Sequence, residues 1–180
     1  MLSIVVSELG DQRRDLFGAA GLIRTCRATL GDVSTEIVTR DGDYVRRNAE
    51  SRARMVSLCE RISDNQLTRV AFGDWTVAAV LAHMAFWDRV ALERWNTFEK
   101  ERQPVLQLPE YLNTVGAADW SAIPPRKAVK SALEAADALD KKIEALPDDL
   151  IEAARQANNP RMFERFHHRE DHLSAIERVI

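Results

Sequence analysis

Cysteine is the first scarcity. Only Cys26 and Cys59 occur, in separate segments. Two thiols cannot build a disulfide framework, and they cannot supply the thiolate pairs of a structural zinc site. Positive charge is not in surplus either. Lys and Arg number 25 against 28 Asp and Glu, a net charge of −3. The arginines are scattered, and no basic stripe alternates with aromatics, so nucleic acid is not the expected partner. No apolar run nears the ~20 residues of a membrane span. The opening Met1-Leu2-Ser3-Ile4-Val5-Val6 has no basic lead and soon meets Glu8, unlike a secretory signal. No glycine-rich phosphate loop is present. These exclusions leave a reducing cytoplasm as the expected location.

What is present is helical pattern. At 180 residues, with 46% hydrophobic and 29% charged residues, the chain suits one domain with a real core. Residues 1–40 fit least well. Gly10, Gly18, Gly21 and Gly31, four of the seven glycines, interrupt every helical run there. The segment is expected to be a poorly structured extension, or to precede a true start at Val38. Residues 41–180 are expected to form the folded domain.

Within that domain, Val45, Ala49, Ala53, Val56, Cys59 and Ile62 recur at spacings of three and four, predicting a helix from Asp43 to Ile62. Thr76 suits the N-cap of a second helix reaching Glu101, with Val77, Val80, Leu81, Met84, Ala91, Trp95 and Phe98 inward. Pro104 ends it. A long connection follows, with a short helix over Pro109–Ala118. Pro124-Pro125 opens a third helix with Val129, Leu133, Ala136, Leu139 or Asp140, Ile143 and Leu146 on its seam, ended by Pro147. A short piece spans Asp148–Gln156. Asn159 and Pro160 are then expected to launch the last helix, with Met162, Phe166, Leu173, Ile176 and Ile180 inward. No strand stands out. Four long amphipathic helices predict an all-α four-helix bundle. A connection of such length between the second and third helices allows them to run parallel, in up-down-down-up order.

Three of the four histidines crowd into Phe166-His167-His168-Arg169-Glu170-Asp171-His172. Residues four apart share a helix face about 6 Å apart, so His168 and His172 can chelate one ion. His83 is then the remaining candidate for a third ligand, and three neutral imidazoles would leave a divalent ion with open positions. His167 points about 100° away from His168 and is set aside. The helical wheel puts His83, His168 and His172 on the flanks of their apolar stripes, where two helices could meet over a cleft. Spacing alone leaves a second reading open, in which these are ordinary hydrogen-bonded histidines.

Other candidates are weaker. Asp88 falls inside an apolar stripe and needs a partner. A structural salt bridge is the favoured reading, and orientation of a metal ligand the alternative. Glu164 lies one turn before His168 and could serve as a general base, or simply be solvated. Trp75, Trp87, Trp95 and Trp120 read as core or pocket lining. Neither cysteine has a histidine partner in sequence, so a nucleophilic thiol is not supported.

Two segments carry a resemblance. Trp75-Thr76-Val77-Ala78-Ala79-Val80-Leu81-Ala82-His83-Met84-Ala85-Phe86-Trp87-Asp88 resembles the second-helix signature of the DinB/YfiT-like superfamily. His168-Arg169-Glu170-Asp171-His172-Leu173-Ser174-Ala175-Ile176-Glu177 resembles its last-helix signature. The likeness runs from about Asp41 to Ile180. It implies an up-down-down-up four-helix bundle, often dimeric, with a metal triad at His83, His168 and His172. Zn, Ni, Fe and Mn all suit such a set. It also implies a metal-dependent enzyme, since the superfamily includes S-transferases and isomerases using mycothiol, bacillithiol or glutathione. It names no substrate, because many members have no assigned activity. Hydrolysis at the metal, or a non-catalytic metal or small-molecule binding module, are the alternatives.

Overall fold

The computed structural model describes residues 43–102, 108–109 and 111–180. The expected extension at 1–40, the start at Val38 and the break at Pro104 lie outside the described residues. The rest is all-α, with seven helices among the described residues: α1 (Asp43–Arg61), α2 (Asp64–Leu67), α3 (Val77–Glu101), α4 (Tyr111–Ala122), α5 (Pro125–Ala145), α6 (Asp148–Gln156) and α7 (Arg165–Glu177).

Local chemistry sets most of the boundaries. Thr76 caps α3, its hydroxyl accepting from the Ala79 amide at 3.2 Å. Ser63 and Gln66 form a capping box on α2. Pro124 and Pro125 begin α5, where a missing N–H costs nothing. Arg126 reaches back to accept no proton but to donate one, at 3.0 Å, to the Ile62 carbonyl just past the end of α1.

Three expectations need correction. A small hairpin, β1 (Val70–Phe72) with β2 (Trp75–Thr76), precedes α3. Gly73 takes φ +52° in its turn, a conformation open to glycine. Strands of three and two residues are too short to show a period. The last helix does not start at Pro160. Pro160–Met162 form a single 3-10 turn, Asn159 makes no side-chain cap, and α7 begins at Arg165. Finally, α1 buries a different face. Tyr44, Asn48, Ser51, Met55 and Leu58 point inward, while Ala53 is exposed and Val45, Ala49 and Val56 are half-buried. The reason is Asn48. Its amide donates to the Phe163 carbonyl at 2.7 Å and accepts from the Phe166 amide at 2.9 Å. It therefore satisfies backbone groups at the start of α7 that would otherwise be buried unpaired.

Polar contacts give the relative directions of the long helices. Near their C-terminal ends, α3 and α5 are joined by Glu99 and Lys142. Arg126 at the start of α5 lies at the end of α1, and Asp140 near the end of α5 lies beside Arg52. So α3 and α5 run together, and α1 runs against α5. Asn48 meets the start of α7 and Arg54 meets Glu177 near its end, so these two run together.

The core is divided. One apolar cluster gathers Met55, Leu58, Ile62, Val80, Leu81, Met84, Ala132, Leu173 and Ile176. Another gathers Tyr44, Trp95, Phe98, Leu139, Ile143, Phe163 and Phe166. Buried polar residues separate the two on α1 (Asn48 and Ser51), α3 (Asp88) and α7 (Arg169), and on α5 Asp140 is buried beside Leu139 near the boundary. Arg169 is 0% exposed and lies between the carboxylates of Asp88 and Asp140, which are each 2% exposed. Its nitrogens donate to Asp88 at 3.1 Å and to Asp140 at 2.8 and 2.9 Å. Arg165 donates to the other Asp88 oxygen at 3.0 Å, and Arg52 donates to Asp140 at 3.0 Å. The charges are thus paired and bonded, the condition under which burial is tolerated.

Candidate metal centre

His83 lies at the end of the second turn of α3, fixed by the Thr76 cap seven residues before it. His168 and His172 stand one turn apart on α7. Because Asp88 meets Arg165 and Arg169 while His83 meets His168 and His172, α3 and α7 run antiparallel here. The three expected histidines come together. One ligand nitrogen from each lies within 4.8 Å of the others. Ring centroids are 5.1, 4.8 and 4.8 Å apart, nearly an equilateral triangle. His83 Nε2 is 3.1 Å from His168 Nε2. With bonds of about 2.1 Å, two nitrogens on one ion stand about 3.0 Å apart at a right angle and about 3.4 Å apart at a tetrahedral angle. The observed pair falls in that interval.

Burial keeps these imidazoles neutral. It is the main cause pushing His83 down to about 3, with His172 and Arg165 adding to it. Burial, then the Arg165 charge, holds His168 well below the ordinary value. Burial also lowers His172, against the pull of Asp171. Neutral nitrogens are what a metal requires of histidine. Among the described residues, His83 Nδ1 and His172 Nδ1 are buried without a hydrogen-bond partner. His168 Nδ1 instead lies 3.2 Å from an Arg165 nitrogen. A guanidinium can only donate, so Nδ1 accepts and the His168 proton sits on Nε2, facing His83. For Nε2 to serve as a ligand, that proton would have to move to Nδ1, which would then no longer accept from Arg165.

The remaining sequence candidates sort clearly. Asp88 is a salt-bridge residue, as favoured, and through Arg165 it also fixes the orientation of His168. Glu164 is not among the groups that converge with the triad, and its carboxylate lies 3.6 Å from the exposed His167. Cys59 is buried and its thiol is pushed up to about 11 by burial, so it is not a nucleophile. Trp95 belongs to the far cluster and donates to the Met162 carbonyl at 2.7 Å.

The other three tryptophans surround His83. Trp120, Trp75 and Trp87 have ring centroids 4.7, 5.0 and 6.4 Å from it. Phe72, 49% exposed on the hairpin, packs edge-on against His172 at 5.3 Å. Sequence reasoning missed Phe72, because it lies on a strand too short to notice. It also missed Arg165, although a position three before His168 on a helix was a usable signal.

Trp120 reaches His83 only because residue 116 is glycine. A Cβ there would meet three carbons of the Trp120 ring, the farthest at 2.9 Å. Gly116→Ala is expected to push the indole off His83 and cost about 1–3 kcal/mol of stability. Tryptophan fluorescence and a urea melt read both effects; an unchanged spectrum and midpoint would refute the account.

The DinB superfamily matches residues 47–178, and the chain belongs to that family. The match takes in most of α1 and the whole of α3, α5 and α7, and with them all three histidines. No curated protein and no solved structure matches the chain significantly.

Proposed function

We propose that His83, His168 and His172 hold one divalent metal ion, and that the protein is a metal-dependent enzyme acting with a low-molecular-weight thiol as an S-transferase or isomerase. The observation that carries the metal reading is the convergence of three neutral imidazoles within 4.8 Å. Bound there, Zn, Ni, Fe or Mn would supply Lewis acidity and favour the ionised form of a thiol beside it. The chain's own residues provide the setting. Arg165, held by Asp88, orients His168. Trp75, Trp87, Trp120 and Phe72 make the surroundings apolar, which suits a hydrophobic electrophile and excludes water. Hydrolysis is the weaker alternative, since its best candidate base, Glu164, is engaged with His167. Among the described residues no helix is long and apolar enough to cross a membrane. A cytoplasmic location and a homodimer complete the proposal, as does a bundle over residues 41–180 preceded by an extension.

The test is spectroscopic. Protein loaded with Co(II) is titrated with glutathione, bacillithiol and mycothiol. A thiolate-to-metal charge-transfer band with at least one of them, absent in His83→Ala, is the expected result. Silence with all three would remove the transferase reading while leaving the metal site standing.

A further inference from the structure

Asp88, Arg165, His168 and His83 are joined in a line of hydrogen bonds that has a direction. Arg165 donates to one Asp88 oxygen through Nε at 3.0 Å, and a terminal nitrogen reaches the same oxygen at 2.9 Å. That terminal nitrogen also lies 3.2 Å from His168 Nδ1, so both of its hydrogens are engaged. The other terminal nitrogen donates to the Arg161 carbonyl at 2.8 Å. Arg165 is 6% exposed, and its guanidinium is held at three points, so it has little freedom to swing aside.

As the side chains stand, His168 Nδ1 accepts from Arg165, and Nε2–H points at His83 Nε2, 3.1 Å away. His83 Nε2 then accepts, and the His83 proton belongs on Nδ1. The pair closes on itself. An ion on His168 Nε2 demands the opposite tautomer. The ring proton moves to Nδ1 with no net gain or loss, and two donors then face each other across the Arg165 contact. Outer groups beside a metal-bound histidine ordinarily accept from that second nitrogen and strengthen the site. Arg165 cannot accept. Asp88 has no spare position either. Its second oxygen takes Arg169 Nε at 3.3 Å and an Arg169 terminal nitrogen at 3.1 Å. With the two contacts from Arg165, the roughly four acceptor positions of a carboxylate are filled.

We propose that Arg165 is a positioning residue that sets the metal affinity of the centre below what three buried histidines would otherwise give, by holding His168 in the tautomer whose Nε2 carries the proton. This rests on the metal reading above and adds to it a residue that works against the ion.

The test uses protein with ¹⁵N-labelled histidine, stripped of metal by a chelator. Long-range proton–nitrogen correlations are expected to show His168 as the Nε2–H tautomer, and zinc is expected to turn it into the Nδ1–H form. Zinc affinity is then measured by competition with a chromophoric chelator. Arg165→Met removes the opposing donor and should bind zinc about tenfold more tightly or better, the worth of a hydrogen bond to a charged group. Arg165→Lys keeps a donor and should return to the native tautomer and affinity. A merely structural role would instead weaken zinc binding in the Met variant. Should Arg165→Met fail to fold, Asp88→Asn is added to it, so that no carboxylate is left short of a partner. Equal or weaker zinc binding by the folded Met variant, or an Nδ1–H tautomer in the metal-free native protein, would overturn the proposal and leave the metal reading standing. No zinc binding by the native protein would remove both.

Discussion

Elemental analysis of the native protein is expected to show close to one divalent ion per chain, and His83→Ala and His172→Ala are each expected to lose it. Outer-sphere changes at metal sites already cost about 10–100-fold in affinity, so deleting one of three ligands should cost more. His167→Ala is the control and should keep the metal, because His167 is exposed and paired with Glu164. The pH dependence is a sharper signature. At pH 5 an imidazole with an ordinary value of 6.5 is only about 3% neutral, so a surface histidine pair would have surrendered most of its ion. Here burial lowers all three, His83 to about 3, so their lone pairs stay available at that pH. Metal should therefore be retained at pH 5. The same shifts act on the metal-free fold with a defined sign. Unfolding raises His83 from about 3 back towards 6.5, so the unfolded chain binds more protons between those values. Stability then falls as pH drops through that window, by up to about 1.4 kcal/mol per pH unit for each such histidine. Full metal occupancy in both alanine variants would remove the site altogether.

Arg169→Met is expected to be among the most damaging single changes to the fold. It leaves Asp88 and Asp140 buried with half of their compensation gone. Removing one partner from a buried ionic set costs about 3–5 kcal/mol, since the orphaned charge remains in low dielectric. Arg165 and Arg52 still touch one carboxylate each, which keeps the expected loss within that range. Urea denaturation should show a lower midpoint at unchanged slope. Histidine geometry should suffer as well, because Arg169 anchors the helix that carries His168 and His172. A loss below about 1 kcal/mol would mean that these carboxylates are not held as charges at all.

Much of this was legible in the residues, and the exceptions have physical causes. The stripes of α3 and α5 could be read because apolar side chains fill them almost without interruption. The α1 face could not, since its inward side includes Asn48 and Ser51. A rule that places polar residues outside turns that helix by about one residue. The same limit concealed the charged layer. Asp88 betrayed itself by sitting in an apolar row, but Arg169 lies in Arg-Glu-Asp and looks like any solvated helix face. Only the tertiary arrangement shows that its partners come from 29 and 81 residues away. The histidine pair was visible from spacing, and His83 joined it by elimination and by resemblance to the DinB family. The tryptophan enclosure was not predictable, because Trp75, Trp87 and Trp120 belong to three elements whose meeting no local pattern encodes.

The buried charges have a consequence for the order of assembly. Both arginines that neutralise Asp88, and two of the three imidazoles, belong to α7. This helix leaves the ribosome after every other described helix. Until it docks, α3 and α5 offer two carboxylates that favour water over the interior, and His83 has no companions. Docking of a single helix then neutralises the layer and completes the triad together. If the triad holds an ion, as proposed, that ion could be acquired only once α7 has docked.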